Sequence, residues 1–167
     1  MVGIFIAGPG AALVAGPAGA DSSAEVQEQT VKAGGLKRVF FTYVPPKVAK
    51  KAPLVIAFHG GGQTVQRFAD GVGLKAMADQ YGFILAMPEG IAAPGAKGGS
   101  WNTGSTVPQG YAETVGVDDL AFVSKIIDQA LQSGRSTATA STRWASPKGG
   151  MMAYNAACQP FPAGSRP

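Results

Sequence analysis

The run PLVIAFHGGGQ, residues 53–63, constrains the fold of this chain more than any other stretch. Its apolar residues are continuous rather than alternating, which is typical of a short strand buried on both faces of a sheet. The run ends abruptly in His59 and three glycines. The sequence therefore predicts a central strand whose carboxyl end exposes backbone, and an exposed backbone there favours a binding site.

A helix and a second buried strand follow this run. The segment LKAMADQYG, residues 74–82, has the apolar spacing of a helix, and Gly82 is placed as its C-terminal cap. FILAMPEG, residues 83–90, then repeats the continuous apolar pattern of a buried strand. The alternation of strand, helix and strand predicts an α/β fold with a mostly parallel sheet and flanking helices.

Two segments lie outside this alternation. LKRVFFTYVPP, residues 36–46, is rich in β-forming residues and is closed by prolines, which predicts an edge or early strand. Residues 90–116 are rich in Gly, Pro, Ser and Thr around Trp101 and Asn102. This pattern predicts a long surface loop near the strand ends, where loops often shape a substrate site. Trp101 and Asn102 are therefore candidate substrate-loop residues.

The spacing of apolar residues within residues 117–134 predicts an amphipathic helix. The apolar residues on its one face are Leu120, Val123, Ile127 and Leu131. Asp118 and Asp119 lie where a helix N-terminus favours carboxylates, and Gly134 ends the pattern. We interpret the Asp pair as helix capping rather than catalysis, because carboxylates favour the first turn for electrostatic reasons alone.

Composition limits the classes of function. With 167 residues, 46% of them apolar, the chain is long enough for one domain with a core. Its 14 basic and 10 acidic residues are scattered without interleaved aromatic residues, so no nucleic-acid partner is predicted. A single histidine and a single cysteine cannot form a metal site of the usual type, and no cofactor is implied.

The first 20 residues carry no charge and are rich in small apolar residues. They end in Ala18-Gly19-Ala20, an A-x-A cleavage pattern, although the usual basic n-region is missing. We therefore expect a signal peptide over residues 1–20 with cleavage near Ala20, and a secreted or periplasmic mature chain. A stable membrane anchor is not predicted, because Gly and Pro interrupt a run that is short for a membrane span.

Cys158 has no cysteine partner within the chain. In an exported protein an odd cysteine suggests a lost disulfide partner. The alternative is a small buried residue on a helix.

The segment His59-Gly60-Gly61-Gly62 carries the first chemical signal. Residues without side chains let the backbone approach a ligand closely, and their N–H groups can point at a developing oxyanion. A glycine-rich turn after a strand can equally bind phosphate or simply reverse the chain. The other motifs of the chain narrow these alternatives.

Six motifs follow one another in the order and spacing of one family: RVFFTYVPP, PLVIAFHGGGQ, FILAMPEG, SWNTG, VDDLAFVSKIID and KGGMMAYNAAC. The chain resembles the exported polyhydroxybutyrate depolymerase and feruloyl-esterase-like serine esterases of the α/β-hydrolase superfamily. The resemblance implies an incomplete α/β-hydrolase fold over residues 21–158, an ester or polyester substrate, and an oxyanion hole at Gly60, Gly61 and Gly62. Residues 135–147 and the tail 159–167 are off the family pattern.

The family's nucleophile elbow, G-x-S-x-G-G, is altered in this chain. Matching its last two glycines to Gly149 and Gly150 puts the catalytic serine at Pro147, which has no nucleophilic group. Ser146 is one position away and would point to the other face of a strand. Residues 148–167 contain no Asp, Glu or His, and the position of His59 assigns it to the oxyanion turn. We therefore expect this chain to be catalytically inactive.

A reading-frame slip would explain the break. If the DNA for residues 135–147 is read one base out of phase, with freely chosen third bases, it spells Val-Asp-Arg-Asp-Arg-Val-Tyr-Ala-Met-Gly-Leu-Ser. Only the glycine is forced, by the single tryptophan codon at Trp144 followed by Ala145. On this hypothesis a slip near Arg135, corrected near Pro147, replaced the family's strand and serine.

Two alternatives to a damaged esterase stay open. The chain is either a non-catalytic exported protein that binds a polymer or an ester, or the non-functional product of a pseudogene. The resemblance does not distinguish polyhydroxyalkanoate, feruloyl and related esters, and the sequence does not predict an oligomeric state.

Overall fold

The structure is a computed structural model that describes residues 25–142 and 147–158. The strands are β1 (Gln27–Ala33), β2 (Leu36–Tyr43), β3 (Ala52–Ile56), β4 (Ile84–Pro88) and β5 (Ser136–Thr142). The helices are α1 (Val65–Val72), α2 (Leu74–Tyr81), α3 (Tyr111–Thr114), α4 (Asp119–Gln132) and α5 (Pro147–Cys158). The signal-peptide prediction for residues 1–20 and the off-pattern tail 159–167 lie outside the described residues.

The strands form one mixed sheet in the order β1-β2-β4-β3-β5. β3 pairs in parallel with β4 and with β5, whereas β2 pairs antiparallel with β1 and with β4. The predicted parallel core is therefore present, with an antiparallel hairpin added at one side. This arrangement confirms the predicted α/β class with flanking helices.

The hairpin of β1 and β2 corrects one prediction. Gly34 and Gly35 form its two-residue turn with φ values of 55° and 77°, a conformation that glycine adopts without strain. β2 is early in the chain, as expected, but it is not an edge strand, because β1 pairs along its full length. No apolar pattern marks β1 in the sequence, since most of its side chains are polar and exposed.

β4 is buried along its whole length and divides the core into two clusters. Ile84 and Ala86 belong to the cluster under α4 and α5, whereas Leu85 and Met87 belong to the cluster under α1 and α2. The alternation follows from the two-residue period of a strand. A continuous apolar run is therefore what a strand covered by helices on both faces requires, as predicted for residues 83–90.

The helix boundaries follow the capping signals. α2 ends at Gly82, whose φ of 68° and N–H bond to the Ala78 carbonyl make it the predicted cap. α4 begins after Asp118, whose carboxylate accepts a hydrogen bond of 2.8 Å from the Ala121 N–H. The capping interpretation is thus confirmed for Asp118, whereas Asp119 has a different role that is described below.

Residues 136–142 form a strand although they lie in the off-pattern segment. β5 pairs with β3 in parallel, with a register irregularity between Pro53 and Leu54. A backbone ladder therefore forms with the sequence present here, and the hypothesis that a reading-frame slip replaced the family's strand stays a prediction.

Candidate active site

The glycine turn follows directly from β3. The chain remains buried through Ala57, Phe58 and His59, and the Ala57 N–H donates to the Ala86 carbonyl at 2.9 Å. The turn closes where the Gln63 N–H donates to the Gly60 carbonyl at 3.1 Å, and the Gln63 side chain accepts from the Gly60 N–H at 2.9 Å. This geometry places the turn at the carboxyl end of a central strand.

The Gly61 N–H is available to a ligand. Gly61 is exposed, and within the described ranges its N–H has no hydrogen-bond acceptor. The neighbouring donors are used, since Gly60 bonds to Gln63 and the Gly62 N–H donates to the Gly99 carbonyl at 2.8 Å. One donor of the turn is therefore free, and its neighbours are fixed.

A second glycine pair holds the turn in place. The Gly99 N–H donates to the Gln63 carbonyl at 3.0 Å, which completes a short antiparallel bridge with the turn. A Cβ on Gly98 would overlap the backbone of Gly62, and a Cβ on Gly99 would overlap that of Gly90. The loop and the turn therefore contact each other backbone to backbone, and only glycine fits at these positions.

His59 has a structural role. Its ring is fully buried, the Gly90 N–H donates to Nε2 at 2.9 Å, and Nδ1 lies 2.8 Å from the Gly60 carbonyl oxygen. Because Nε2 accepts a hydrogen bond, the proton is on Nδ1, which donates to Gly60. Glu89 Oε1 lies 3.3 Å from Nε2, but an ion pair there would require a protonated Nε2, which the nearer Gly90 N–H opposes. Both ring nitrogens are thus occupied, and neither is free to act as a base.

Trp101 lies beneath the turn instead of on the surface. Its side chain is fully buried, and its indole N–H donates to the His59 carbonyl at 2.8 Å. Its ring packs edge-on against Phe58, with centroids 5.3 Å apart. The sequence predicts a surface loop here, yet the Trp101 side chain is buried, because the indole satisfies its N–H and packs its ring against the core. A contact of Trp101 with substrate stays a prediction.

Asn102 and Asp119 connect the loop to α4. Asp119 is buried, accepts from Arg38 Nη2 at 2.7 Å, and accepts from the Asn102 N–H at 2.7 Å. The Asn102 side chain donates to the Val117 carbonyl at 2.8 Å and accepts from the Gly104 N–H at 3.1 Å. Burial raises the pKa of Asp119, and Arg38 opposes that shift. Asp119 therefore joins β2, the loop and α4, which the capping interpretation did not include.

An ion pair links α5 to the same loop. Lys148 Nζ lies 2.7 Å from Glu113 Oε2, and the side chains are only 12% and 2% exposed. Burial alone would raise the pKa of Glu113, but hydrogen bonds from Lys148, Thr103 and Gln109 lower it to about 2. The Lys148 stem lies 3.5 to 3.7 Å from the place of a Cβ on Gly61. The N-terminus of α5 therefore lies against the glycine turn.

These elements surround a cleft of about 410 Å³. Its lining residues are Gly61, Gly62, Ile91, Ala93, Ala96, Gly98, Gly99, Ser100, Gln109, Gly110, Tyr111 and Lys148. Most of these lining residues are glycines or have small side chains, and Gly61, whose N–H has no acceptor among the described residues, is one of them. The cleft therefore suits a small polar group that is recognised by backbone donors.

Pro147 begins α5 and is exposed. Proline fits a first helical position, because its missing N–H has no intrahelical partner there. The predicted helix of KGGMMAYNAAC is present, with Met152 and Ala156 buried against the core. Cys158 is exposed at its end, so the buried alternative for this cysteine is wrong.

The structure brings Gly60, Gly61, Gly62 and the start of α5 together, and it places Trp101 and Asn102 behind them. Sequence reasoning missed Lys148, Glu113 and the Gly98-Gly99 pair. The glycine pair had a visible signal, since two adjacent glycines precede SWNTG. Glu113 and Lys148 had none, because they are 35 positions apart and only the fold joins them.

Neither a metal cluster nor a membrane-spanning helix is found in the described part of the chain. No three His, Cys, Asp or Glu side chains there group as metal ligands. No helix there is long and apolar enough to cross a bilayer.

Residues 39–146 match the family model described as Esterase PHB depolymerase. The chain belongs to this esterase family. The match confirms the resemblance inferred from the six motifs. A curated relative of this family member is feruloyl esterase B of Neurospora crassa, which is 48% identical over 48 residues. That alignment covers 29% of this chain and 16% of the relative.

Solved esterases share the fold of this Esterase PHB depolymerase family member. An acetyl xylan esterase from Aspergillus awamori matches with a TM-score of 0.59 at 18% identity, covering 80% of this chain and 46% of that one. A thermostable carboxylesterase cloned from a metagenomic library matches with a TM-score of 0.55 at 20% identity, covering 78% and 39%. A ferulic acid esterase matches with a TM-score of 0.52 at 19% identity, covering 77% and 51%.

At these identities the likeness shows the fold alone. It is the fold of α/β-hydrolase esterases, of which this chain contains a part. The chain spans about half or less of each solved esterase and 16% of the curated relative.

Proposed function

We propose that this chain forms the oxyanion side of a carboxylic ester hydrolase site and that it does not hydrolyse esters with the sequence it has. The free Gly61 N–H in the cleft carries this proposal. A donor fixed at the carboxyl end of a central strand, in a member of an esterase family, suits the carbonyl oxygen of an ester.

The start of α5 supplies a second donor. In α/β-hydrolases the oxyanion hole combines an N–H of the loop after β3 with the N–H of the residue after the nucleophile. The corresponding residue here is Lys148, whose N–H is in the first turn of α5 and lacks an intrahelical acceptor. Contact of the Lys148 stem with Gly61 supports a joint role for these two N–H groups.

Inactivity is proposed from the nucleophile and the base. A serine hydroxyl at the elbow attacks the ester carbonyl only when a histidine removes its proton, and an acid orients that histidine. Pro147 provides no hydroxyl, and both nitrogens of the one histidine, His59, are occupied. These two facts support a site that binds an ester without attacking it.

Substrate class and location are also proposals. The names of the relatives favour esters that an aromatic acid or acetic acid forms with a polymer. The family description favours polyhydroxybutyrate. A secreted or periplasmic location agrees with a polymeric substrate, and the uncharged residues 1–20 support it. Cell fractionation with an antibody against the mature chain tests the location.

A second candidate function is non-catalytic ester or polymer binding. It is favoured by the combination of a formed cleft, a free donor and a proline in place of the nucleophile. It differs from a pseudogene product in requiring a folded, ligand-binding protein.

The experiment that tests both candidates uses the purified chain with methyl ferulate and with methyl 3-hydroxybutyrate. We expect the Gly61 amide signal to shift on ester addition, without release of the acid. Gly61→Pro removes the donor and should abolish the shift of neighbouring signals, whereas Gly61→Ala keeps the N–H in a position with ordinary room for a Cβ. Absence of any response near Gly61 with either ester would refute the proposed site.

A further inference from the structure

Among the described residues that line the cleft, Lys148 is the only Lys, Arg, Asp or Glu. Its stem lies 3.5 to 3.7 Å from the place of a Cβ on Gly61, and its ammonium lies 3.3 Å from the place of a Cβ on Gly110. The side chain therefore extends across the cleft from α5 to the loop, beside the free Gly61 N–H. Any group that binds there meets this side chain.

Glu113 holds that ammonium from behind the cleft. Its carboxylate is 2% exposed and accepts from Lys148 Nζ at 2.7 Å. It also accepts from the Thr103 hydroxyl at 2.6 Å, from the Thr103 N–H at 3.3 Å, and from the Gln109 N–H. The loop donors alone do not neutralise the carboxylate, because they carry no net charge. Lys148 is the only cation bonded to it among the described residues.

The charge balance of this pair decides what the cleft can bind. A free ammonium beside Gly61 would attract a carboxylate through a charge-assisted hydrogen bond. Paired with Glu113, the ammonium is neutralised, and pulling it away would leave a buried carboxylate without its counter-ion, which is costly. An uncharged ester needs only the backbone donors and pays no such cost.

We propose that Glu113, acting through Lys148, is a specificity-determining residue that makes the cleft accept uncharged esters and reject their free acids. This inference rests on the proposed ester site. Its consequence is that a free acid, which carries a negative charge, is not retained at the glycine turn of this chain. Glu113 is a positioning residue here, since it reaches the ligand only through Lys148.

A purely structural role of the pair makes a different prediction. If Glu113 only braces the loop against α5, its loss loosens the cleft and weakens the binding of ester and acid alike. If it sets specificity, its loss changes the ratio of the two affinities. The ratio is therefore the measurement that separates the two roles.

The test uses matched ligands that differ in charge: methyl ferulate with ferulate, and methyl 3-hydroxybutyrate with 3-hydroxybutyrate. Ligand affinities are measured by NMR titration at neutral pH for the unchanged chain and for Glu113→Gln. The amide side chain keeps one oxygen, which can accept from Thr103 as Glu113 Oε1 does. Its NH2 group replaces Oε2, so the Gln109 N–H loses that acceptor and the Lys148 ammonium is left unneutralised. We expect the affinity for the acid to rise about tenfold, as one charge-assisted hydrogen bond allows, with ester affinity unchanged within about twofold.

Two further variants control for folding and for the source of the gain. Lys148→Met keeps the apolar stem and should give no gain in acid binding. Glu113→Gln combined with Lys148→Met removes both charges and should restore the original preference for the ester. Amide spectra that match those of the unchanged chain away from the cleft show that each variant is folded.

Each outcome has a defined meaning. Equal losses of ester and acid affinity in Glu113→Gln, or a gain in acid affinity that persists without Lys148, overturn the specificity role and leave the ester site standing. Acid binding by the unchanged chain as tight as ester binding also overturns it. If the unchanged chain binds neither ester, the proposed function itself fails, and the inference fails with it.

Discussion

The backbones of Gly62 and Gly98 touch, so that a single methyl group on Gly98 would overlap the Gly62 carbonyl. This contact fixes the glycine turn from outside, and it involves no side chain. The geometry of the free Gly61 donor therefore depends on a position in a distant loop.

Gly98→Ala should displace the loop and weaken ester binding at Gly61. Overpacking of this kind typically costs about 1–3 kcal/mol of folding free energy. The matched control is Gly71→Ala, because Gly71 is in α1 and a Cβ there meets nothing within 4 Å. That control should stabilise the chain slightly, by about 0.5–1 kcal/mol. Urea titration measures the free energy of unfolding of both variants. Equal values for Gly98→Ala and Gly71→Ala would contradict the role of the glycine contact.

Pro147→Ser should remain inactive on short p-nitrophenyl esters. The substitution provides a hydroxyl at the start of α5, but His59 has no free nitrogen to remove its proton. A full-length gene with the reading frame restored should be active in the same assay. Turnover by the point variant that survives His59→Ala, yet is lost when the new hydroxyl is removed, would show that a residue other than His59 acts as the base.

Acid should destabilise the chain partly through Glu113. Burial opposes ionisation of this carboxyl group, but the hydrogen bonds led by that of Lys148 lower its pKa from 4.5 to about 2. Because the folded-state pKa is below the unfolded one, the stabilisation is present above pH 4.5 and is lost as the pH falls towards 2. Glu113→Gln should therefore reduce the loss of stability between about pH 6 and about pH 3. Glu28→Gln, on an exposed position of β1, should leave that loss unchanged.

Asp119→Ala should cost far more stability than Asp118→Ala. Removing Asp119 leaves the buried Arg38 guanidinium without its counter-ion, which typically costs about 3–5 kcal/mol. Removing Asp118 loses one N-cap hydrogen bond, typically about 1 kcal/mol. Denaturation midpoints of the two variants give the comparison directly. Equal costs would mean that the ion pair contributes little and that capping explains both residues.

The chain alone should self-associate. Met151 and Tyr154 of α5 are 40% and 75% exposed, and within the described residues β5 pairs on one side only. Uncovered apolar surface and an open strand edge both favour association. Met151→Lys with Tyr154→Lys should raise the monomer fraction in light scattering, whereas Tyr81→Lys, at a residue 67% exposed on α2, should not. A monodisperse monomer with a sharp thermal transition would contradict the expectation.

The elements that could be predicted are those whose signal is local. β3 and β4 are covered on both faces, so continuous apolar runs mark them, and Gly82 marks the end of α2 through its left-handed backbone. β1 was missed because an exposed hairpin strand needs no apolar pattern, and α1 because its eight residues span only about two helical turns.

The site was predicted only as far as its glycine turn. Trp101 is in a Gly- and Pro-rich loop, so the sequence favours the surface, yet its N–H finds a buried carbonyl at His59. The roles of Asp119 and Glu113 depend on partners 81 and 35 positions away along the chain. Such contacts depend on how the whole chain folds, and local spacing carries no information about them.

The formation of β5 from an off-pattern stretch shows which part of the chain supplies the sheet. Hydrogen bonds along β3 use the main chain, which every residue supplies, so Ser, Thr and Ala complete the ladder there. Ester hydrolysis by a serine nucleophile depends instead on one hydroxyl. A change of side chain along this stretch therefore leaves the backbone ladder intact, whereas a serine mechanism is lost when its hydroxyl is replaced. An esterase gene can lose its reaction in a single event and still encode a recognisable α/β-hydrolase sheet.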